Sequence, residues 1–469
     1  MVDSLIAFDT NQIKQYVFAT DKLKEIRGAS AILDELNREF MPKIVKGETV
    51  YSHGGSGLFV VERGCEQSTI AEVQRIYALH TGGAASITGV SCELPDGFDR
   101  TNGDIRPLWG QLSIRLNSVK ARNLRAQAIV THPLLRPCVS CGVFYGSELR
   151  DTETVCLACA CKRDKNIAIR EQYPDKPDDF DKIGACSTPN DYFALIYADG
   201  DGLGRELGKC ETLDKVQQFA KAVDESLREA VKEAIDGLPT QGYDQLLLGG
   251  DDLVMVIQAQ SALEVALKIV DLFSAKTHSK LGKALTLSTA VVWAHVNFPL
   301  RALLDIAEST LKFAKKEGAR RGEKGLVNFL VVSSANHLNY NEYYKQVLKL
   351  EIGQETLYRT LRPYTTADLR ELLRWRRRYS AAPRSKIEAL RRAVFQPSRQ
   401  QSMIDGLATL FHWRSVEQRM ACYKLPPNCK PGTEQSFPWA SVNKEYYTPF
   451  ADLAELWDFT PTGEDTDEN

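Results

Sequence analysis

The sequence predicts an α+β chain in which one sheet-and-helix unit occurs twice, a four-cysteine module separates the copies, and a helical region follows. The first observation is a repeat: LLLGGDDLVMVI, residues 246–257, echoes VYSHGGSGLFVV, residues 50–61, with Gly54-Gly55 and Gly249-Gly250 lying 195 residues apart. The second is paired CxxC spacing in PCVSCGVFYGSELRDTETVCLACACKRD. The third is a change of pattern after about residue 340, where short apolar runs give way to helical periodicity.

Each copy reads in the same order. An apolar run ending in Asp comes first, SLIAFDTNQIKQ around Asp9 and DYFALIYADGDGLG around Asp199. The Gly-Gly hairpin follows, and then a helix that aligns Leu116 with Leu311 and Lys120 with Lys315. In the second copy TLDKVQQFAKAVDESLREAVKEAI, residues 212–235, has helical spacing behind a Thr start. LTLSTAVVWAHV, residues 285–296, is β-branched and aromatic enough for a central strand. PLRALLDIAESTLKFAKKEG then reads as a helix with Pro299 in its first turn and Gly318 at its end. Helices are expected to cover one face of each antiparallel sheet.

The expected boundaries are a first unit at 1–132, the cysteine module and a Pro- and Asp-rich linker at 133–185, and a second unit at 186–338. A helical domain at 339–425 and an irregular tail at 426–469 complete the chain. TTADLRELLRWRRRYS and RSKIEALRRAVF each begin with Thr or Ser and carry an acid three residues later, the capping-box arrangement. The acidic last eight residues are expected to be disordered.

Composition narrows the class. At 469 residues with 43% apolar content, roughly three or four domains are expected. Fifty-nine basic and 61 acidic residues nearly cancel, which excludes a protein whose whole surface coats nucleic acid. No basic leader precedes an apolar stretch and no run approaches the roughly 20 apolar residues of a membrane span, so a cytoplasmic protein without membrane contact is expected. Eleven cysteines, four of them in CxxC pairs, favour metal ligation in a reducing compartment.

The chemistry centres on the second hairpin. An unpaired buried carboxylate is costly, yet Asp251 and Asp252 sit at its tip. Residues opposite one another on neighbouring strands lie about 5 Å apart, so Asp199, ending one strand, can share ions with Asp251. Two Mg²⁺ or Mn²⁺ ions roughly 3.5–4 Å apart suit nucleotidyl transfer, one activating a hydroxyl and one neutralising a triphosphate. Asp199, Gly200 and Asp251 are the expected metal positions. Strand residues alternate faces, so Asp252 receives a supporting catalytic role unless the turn brings both acids together. Gly249 and Gly250 allow a tight turn and close substrate approach, while Gly200, Gly202 and Gly204 leave N–H groups to cradle phosphates. Lys315 is placed to reach a triphosphate. Singly, DGD and GGDD are ordinary solvated turns. Their order with the Lys helix, within about 120 residues, gives them meaning.

Cys138-x2-Cys141 and Cys156-x2-Cys159 suit a closed, structural Zn²⁺ site, with Cys161 an alternative to Cys159. Cys65, Cys92, Cys186, Cys210, Cys422 and Cys429 read as ordinary thiols. His53, beside the first Gly-Gly pair, receives no role.

ALIYADGDGLG, LLLGGDDLVMV and LSTAVVWAHVNFPLRALLDIAESTLKFAKKEG together resemble the second palm domain of the large polymerase/cyclase subunit of type III CRISPR effector complexes. LIAFDTNQIKQYVFATDKLKEIRGASAILDEL is similar to that family's first palm. GGDD alone is shared with diguanylate cyclases of the GGDEF type; the first-palm stretch and interposed CxxC pairs are more specific. The resemblance covers residues 1 to about 425. It implies two ferredoxin-like, nucleotide-cyclase-like palms and an enzyme that joins ATP 3′ to 5′ into a cyclic oligoadenylate messenger for antiviral defence. It also implies a guide-RNA-containing complex with other CRISPR subunits, switched on by target RNA. By the same resemblance Asp199 and Asp251 match metal-binding carboxylates, Asp252 completes the motif, and Lys315 contacts triphosphate. The first copy has Ser56 and Gly57 where the acids should be, so it is expected to be silent, binding a second ATP or pairing with its twin. The family's nuclease domain is built on an adjacent His-Asp pair, and none of the seven histidines here precedes Asp, so no DNase activity is expected.

LRELLRWRRRYSAAPRSKIEALRRA interleaves arginine with Trp375 and Tyr379, a composition that suits RNA phosphates, an acidic subunit or a solvated helix face. Two rivals to the cyclase subunit remain: a free-standing signal cyclase making a cyclic dinucleotide or linear conjugate, and a non-catalytic scaffold that binds nucleotide or RNA.

Overall fold

The computed structural model describes residues 3–122, 135–332, 339–378, 382–412 and 434–460. Cys422, Cys429, Tyr379 and the acidic end after residue 460 lie outside the described residues.

The duplication appears directly in strand order. In the first palm β1 (Asp3–Asn11), β2 (Gly47–His53), β3 (Ser56–Glu62) and β4 (Ser86–Glu93) form an antiparallel sheet ordered β2-β3-β1-β4. The cysteine module contributes the hairpin β5 (Glu148–Arg150) and β6 (Glu153–Val155). In the second palm β7 (Tyr192–Gly200), β8 (Tyr243–Gly249), β9 (Asp252–Gln258) and β10 (Leu287–His295) repeat the order as β8-β9-β7-β10. A fifth strand, β11 (Val327–Val331), pairs in parallel with β10. Helices Leu23–Glu35 and Glu66–His80 connect the first sheet as Leu213–Ala234 and Ala262–Leu281 connect the second. This is the ferredoxin-like βαββαβ order, made twice.

Helix Leu213–Ala234 forms as expected, with Thr212 Oγ1 accepting from Lys215 N at 3.3 Å and an apolar stripe through Val216, Val223, Leu227 and Val231 facing the sheet. Helix Leu300–Arg321 begins after Pro299 but continues past Gly318; left-handed Gly322 ends it instead. Gly318 lies within the helix, where a Cβ would stand 2.9 Å from Glu323 O and 3.3 Å from Leu326, so the position favours glycine for close packing.

The second sheet is covered on both faces, not one. Ala194, Ile196 and Ala198 pack with helices Leu213–Ala234 and Ala262–Leu281, whereas Phe193, Leu195 and Tyr197 share a core with helix Leu300–Arg321 and with first-palm residues such as Ile26 and Ile32. That double burial explains why β7 and β10 read as continuous apolar runs without alternation.

The cysteine module docks on the first palm through its helix Leu157–Gln172. Gly28 makes this possible: a Cβ there would lie 1.8 Å from Lys162 O, so only glycine admits the crossing. Buried Arg163 donates to Glu25 at 2.7 Å, and Arg27 donates to Asn166 across the same junction and to Asp244 of the second palm.

The C-terminal part departs from expectation. Among the described residues it is not all helix, and residues 434–460 are not irregular. β12 (Lys349–Ile352) and β13 (Glu355–Tyr358) join β14 (Glu434–Ser436), β15 (Trp439–Val442) and β16 (Glu445–Tyr447) in one sheet ordered β12-β13-β16-β15-β14. Helices Thr366–Arg378, Arg384–Val394, Arg399–Phe411 and Phe450–Leu456 complete it. Fully buried Arg362 binds Asp452 at 3.0 Å and Glu455 at 2.9 Å, tying the final helix down. Thr365 and Asp368 form the expected cap, but the next helix starts at Arg384 behind Pro383 without a side-chain cap. Trp375 is only 4% exposed and packs in the core, so it presents no stacking face to RNA; Arg376 is buried over the Trp457 ring. Among the described residues no helix is long and apolar enough to cross a membrane.

Candidate active site and metal centre

The acidic site forms where β7 ends and the β8–β9 hairpin turns. Gly249 pairs with Asp252, leaving Gly250 and Asp251 as a two-residue turn, and Gly250 adopts φ +62°, which a side chain would resist. Asp199 lies beside it, paired in register with Ser288 on the other flank. A Cβ on Gly200 would stand 2.8 Å from Asp251 Oδ2, so the two segments meet at van der Waals distance. Burial and the negative charge of Asp199 push the Asp251 carboxyl up to about 6. Burial, Asp199 and Asp251 together push Asp252 up to about 7. Both hairpin acids therefore feel the charge of Asp199, but only Asp251 reaches it by a side-chain hydrogen bond.

Lys315 reaches the same point from helix Leu300–Arg321, donating to Asp199 Oδ2 at 2.5 Å and to Gly200 O at 2.8 Å. In the first palm Lys120 donates to Asp9 in the matching position. Of the glycines after Asp199, Gly202 is left-handed and its N–H is taken by Gly200 O at 3.2 Å, while Gly204 stands in the first turn of the short helix Leu203–Leu207, where backbone N–H groups have no partner within the helix. The intervening Asp201 accepts from Thr286 Oγ1, Ser288 Oγ and Gly325 N at 2.6–2.9 Å and so braces the turn.

A cavity of about 460 Å³ opens between the palms, lined by Thr10, Lys14, Asn37, Gly54 and Gly55 from the first and by Leu248, Gly249 and Asp252 from the second. The two Gly-Gly turns touch: a Cβ on Gly54 would lie 2.8 Å from Gly250 N. Lys14 sits 4.9 Å from the Tyr197 ring centre and 3.0 Å from Glu308. Sequence reasoning missed Lys14, whose place depends on packing between the two copies.

The cysteine module brings Cys138, Cys141, Cys156 and Cys159 together, with all four Sγ atoms within 4.8 Å of one another. Cys141 Sγ and Cys156 Sγ are 3.8 Å apart, the edge expected of a tetrahedron with Zn–S bonds of about 2.3 Å. The donor set fits Zn²⁺. Cys161 is outside the cluster, so Cys159 is the fourth member. Among the described residues these cysteines alone gather as a group of three or more metal-ligating side chains at that spacing. Buried Lys162, on the same helix as Cys159, donates to Tyr16 O at 2.6 Å.

Strand order, paired glycine turns and an acid cluster at the strand ends define a protein of the palm class, the fold that nucleotide cyclases and polymerases share. More particularly, residues 192–323 match the family described as Cas10/Cmr2, second palm domain. No curated protein matches. Among solved structures, the chain is similar to one in a Csm1–Csm4 cassette in complex with one ATP, with TM-score 0.59 and 15% identity over 89% of this chain and 67% of that one. A Csm1–Csm4 cassette in complex with cA3 gives 0.60 and 14% over the same shares. The Csm1–Csm4 subcomplex in the type III-A CRISPR-Csm interference complex gives 0.55 and 14%, again over 89% and 67%. The chain thus spans about two thirds of these chains' length, and the likeness is one of fold.

Proposed function

We propose that this protein is a divalent-metal-dependent nucleotidyltransferase that joins ATP into cyclic oligoadenylate as the large subunit of an RNA-guided type III CRISPR complex in the cytoplasm. The observation that carries the reading is the convergence of Asp199, Asp251 and Asp252, with two carboxyls pushed up by burial and mutual repulsion, beside Lys315. A family match at residues 192–323 and solved relatives with ATP or cA3 support it.

Oxygen donors from Asp199, Gly200 and Asp251 fit a hard cation such as Mg²⁺ or Mn²⁺, and crowded carboxyls that resist ionising are relieved by one. When bound, such ions lower the pKa of a 3′-hydroxyl and neutralise developing charge on the phosphates. The chain's own residues do the rest. Gly249 keeps the turn free of a side chain at the cavity. Lys315, held by Asp199 and Gly200 O, keeps its ammonium beside the acids, from where it would turn to a bound triphosphate. Asp252 places its carboxyl beside the inter-palm cavity. First-palm residues Thr10, Lys14 and Asn37 wall the space for a second nucleotide. Cys138, Cys141, Cys156 and Cys159 hold a structural Zn²⁺ that braces the link between the palms.

The test is mass spectrometry of products from ATP with Mg²⁺ or Mn²⁺, with and without target RNA. Wild type should yield cyclic oligoadenylate and the double variant Asp251→Ala/Asp252→Ala none; product from the double variant would reject the assignment.

A further inference from the structure

The two palms are locked by a four-residue ionic ring that repeats one motif. DELNR, residues 34–38, and DESLR, residues 224–228, occupy matching helices, 190 positions apart like Asp9 and Asp199. Within each motif the Arg pairs with its own Asp, Arg38 to Asp34 at 2.9 Å and Arg228 to Asp224 at 3.3 Å. Across the seam the partners exchange: Arg38 Nη2 donates to both oxygens of Asp224 at 2.7 and 2.6 Å, and Arg228 Nη2 donates to Asp34 at 2.7 Å. Asp224 is buried, a position two guanidinium groups make tolerable.

The ring is symmetric in its ion pairs but not in what else it holds. Asp224 Oδ1 also accepts from Gly250 N at 3.0 Å, and Arg228 Nη2 also donates to Leu248 O at 3.0 Å. Those two backbone groups flank Gly249, so the second-palm half of the ring grips the acidic turn from both sides. Neither bond helps the palms dock. Together they fix the two peptide planes on either side of Gly249, the second of them one link before the peptide that enters Asp251, in a stretch whose two glycines would otherwise leave the turn loose. His53 of the first palm fills the seam, its Nδ1 3.8 Å from Asp224 Oδ1.

We infer that Asp224, itself held by Arg38 of the first palm, is a positioning residue that sets the direction of Asp251 through the Gly250 amide. Its catalytic consequence rests on the nucleotidyl-transfer reading; the grip on the hairpin does not. The degenerate palm thereby keeps a task without acids at its own hairpin: it supplies the guanidinium that holds the Asp224 carboxylate.

The test measures hydrogen–deuterium exchange and ATP turnover on the full chain with Asp224→Ala, Asp224→Asn and Arg38→Ala. Asp224→Ala should speed exchange in residues 246–253 by about tenfold, the loss of one buried hydrogen bond, with helix Leu213–Ala234 unchanged. Turnover should fall about tenfold or more with KM for ATP within about threefold, since binding is kept and alignment lost. Asp224→Asn, which retains an acceptor for Gly250, should lie between Ala and wild type. An unchanged hairpin, or exchange rising equally across both palms, would overturn the inference and leave the ring a docking device. Unchanged kcat alongside a loosened hairpin would also overturn it. If wild type turns over no ATP, the nucleotidyl reading falls, and exchange at 246–253 alone decides whether Asp224 grips the turn.

Discussion

Lys120 holds Asp9 in the first palm as Lys315 holds Asp199 in the second, so the duplication preserves an ion pair as well as a fold. What differs is the hairpin opposite. Asp9 pairs in register with Ser56, where the second copy brings acids.

Replacing Asp9 should therefore leave ATP turnover within about threefold, whereas Asp199→Ala should cost about 10²-fold or more, the scale of losing a charge-stabilising group. Steady-state rates on the two variants check this. Equal losses would mean that the first palm also performs chemistry.

Asp252 supplies a pH signature. Its carboxyl is raised from 3.8 to about 7 by burial and by Asp199 and Asp251, so the folded chain binds that proton more tightly than the unfolded one. The contribution to stability is full below about 4 and is lost as pH rises through 7. In metal-free protein Asp252→Asn should match wild type near pH 4 and exceed it at pH 8, by up to about 1.4 kcal/mol for each tenfold difference in proton affinity between the folded and unfolded chain. Thermal melts across pH test this, and a difference constant with pH would contradict it.

The zinc assignment separates two neighbouring cysteines. Cys159→Ser should lower bound zinc and the melting temperature, while Cys161→Ser should keep one zinc per chain, because only Cys159 lies in the sulfur cluster. Elemental analysis of purified variants decides between them. Zinc lost from Cys161→Ser would reverse the choice.

Gly28→Ala forces a methyl onto Lys162 O, with backbone on both sides and no flexible atom to yield. The variant should be destabilised by about 1–3 kcal/mol, an overpacking cost. Exchange in helix Leu157–Gln172 should rise first, and an unshifted melt would show that the crossing is looser than described.

Local chemistry made much of this legible. Gly-Gly turns, strand-ending Asp residues and CxxC pairs are short-range patterns, and β7, β10 and helix Leu213–Ala234 fall within two residues of where apolar runs and Thr212 place them. The C-terminal sheet was hidden because its strands are three or four residues long and its halves are separated by about 75 positions, too short for periodicity to register. Trp375 misled for a related reason: arginines around an aromatic look like an RNA face until the helix is seen to turn that aromatic inward. Asp224, Arg38 and Lys14 matter through contacts between the copies, which no single segment reveals.

The most direct measurement is anomalous diffraction from crystals grown with Mn²⁺ and a non-hydrolysable ATP analogue. Manganese density against the carboxylates of Asp199 and Asp251, with Lys315 turned to the phosphates, is the predicted result. An ordered nucleotide with no manganese at those carboxylates, and Lys315 still on Asp199, would contradict it.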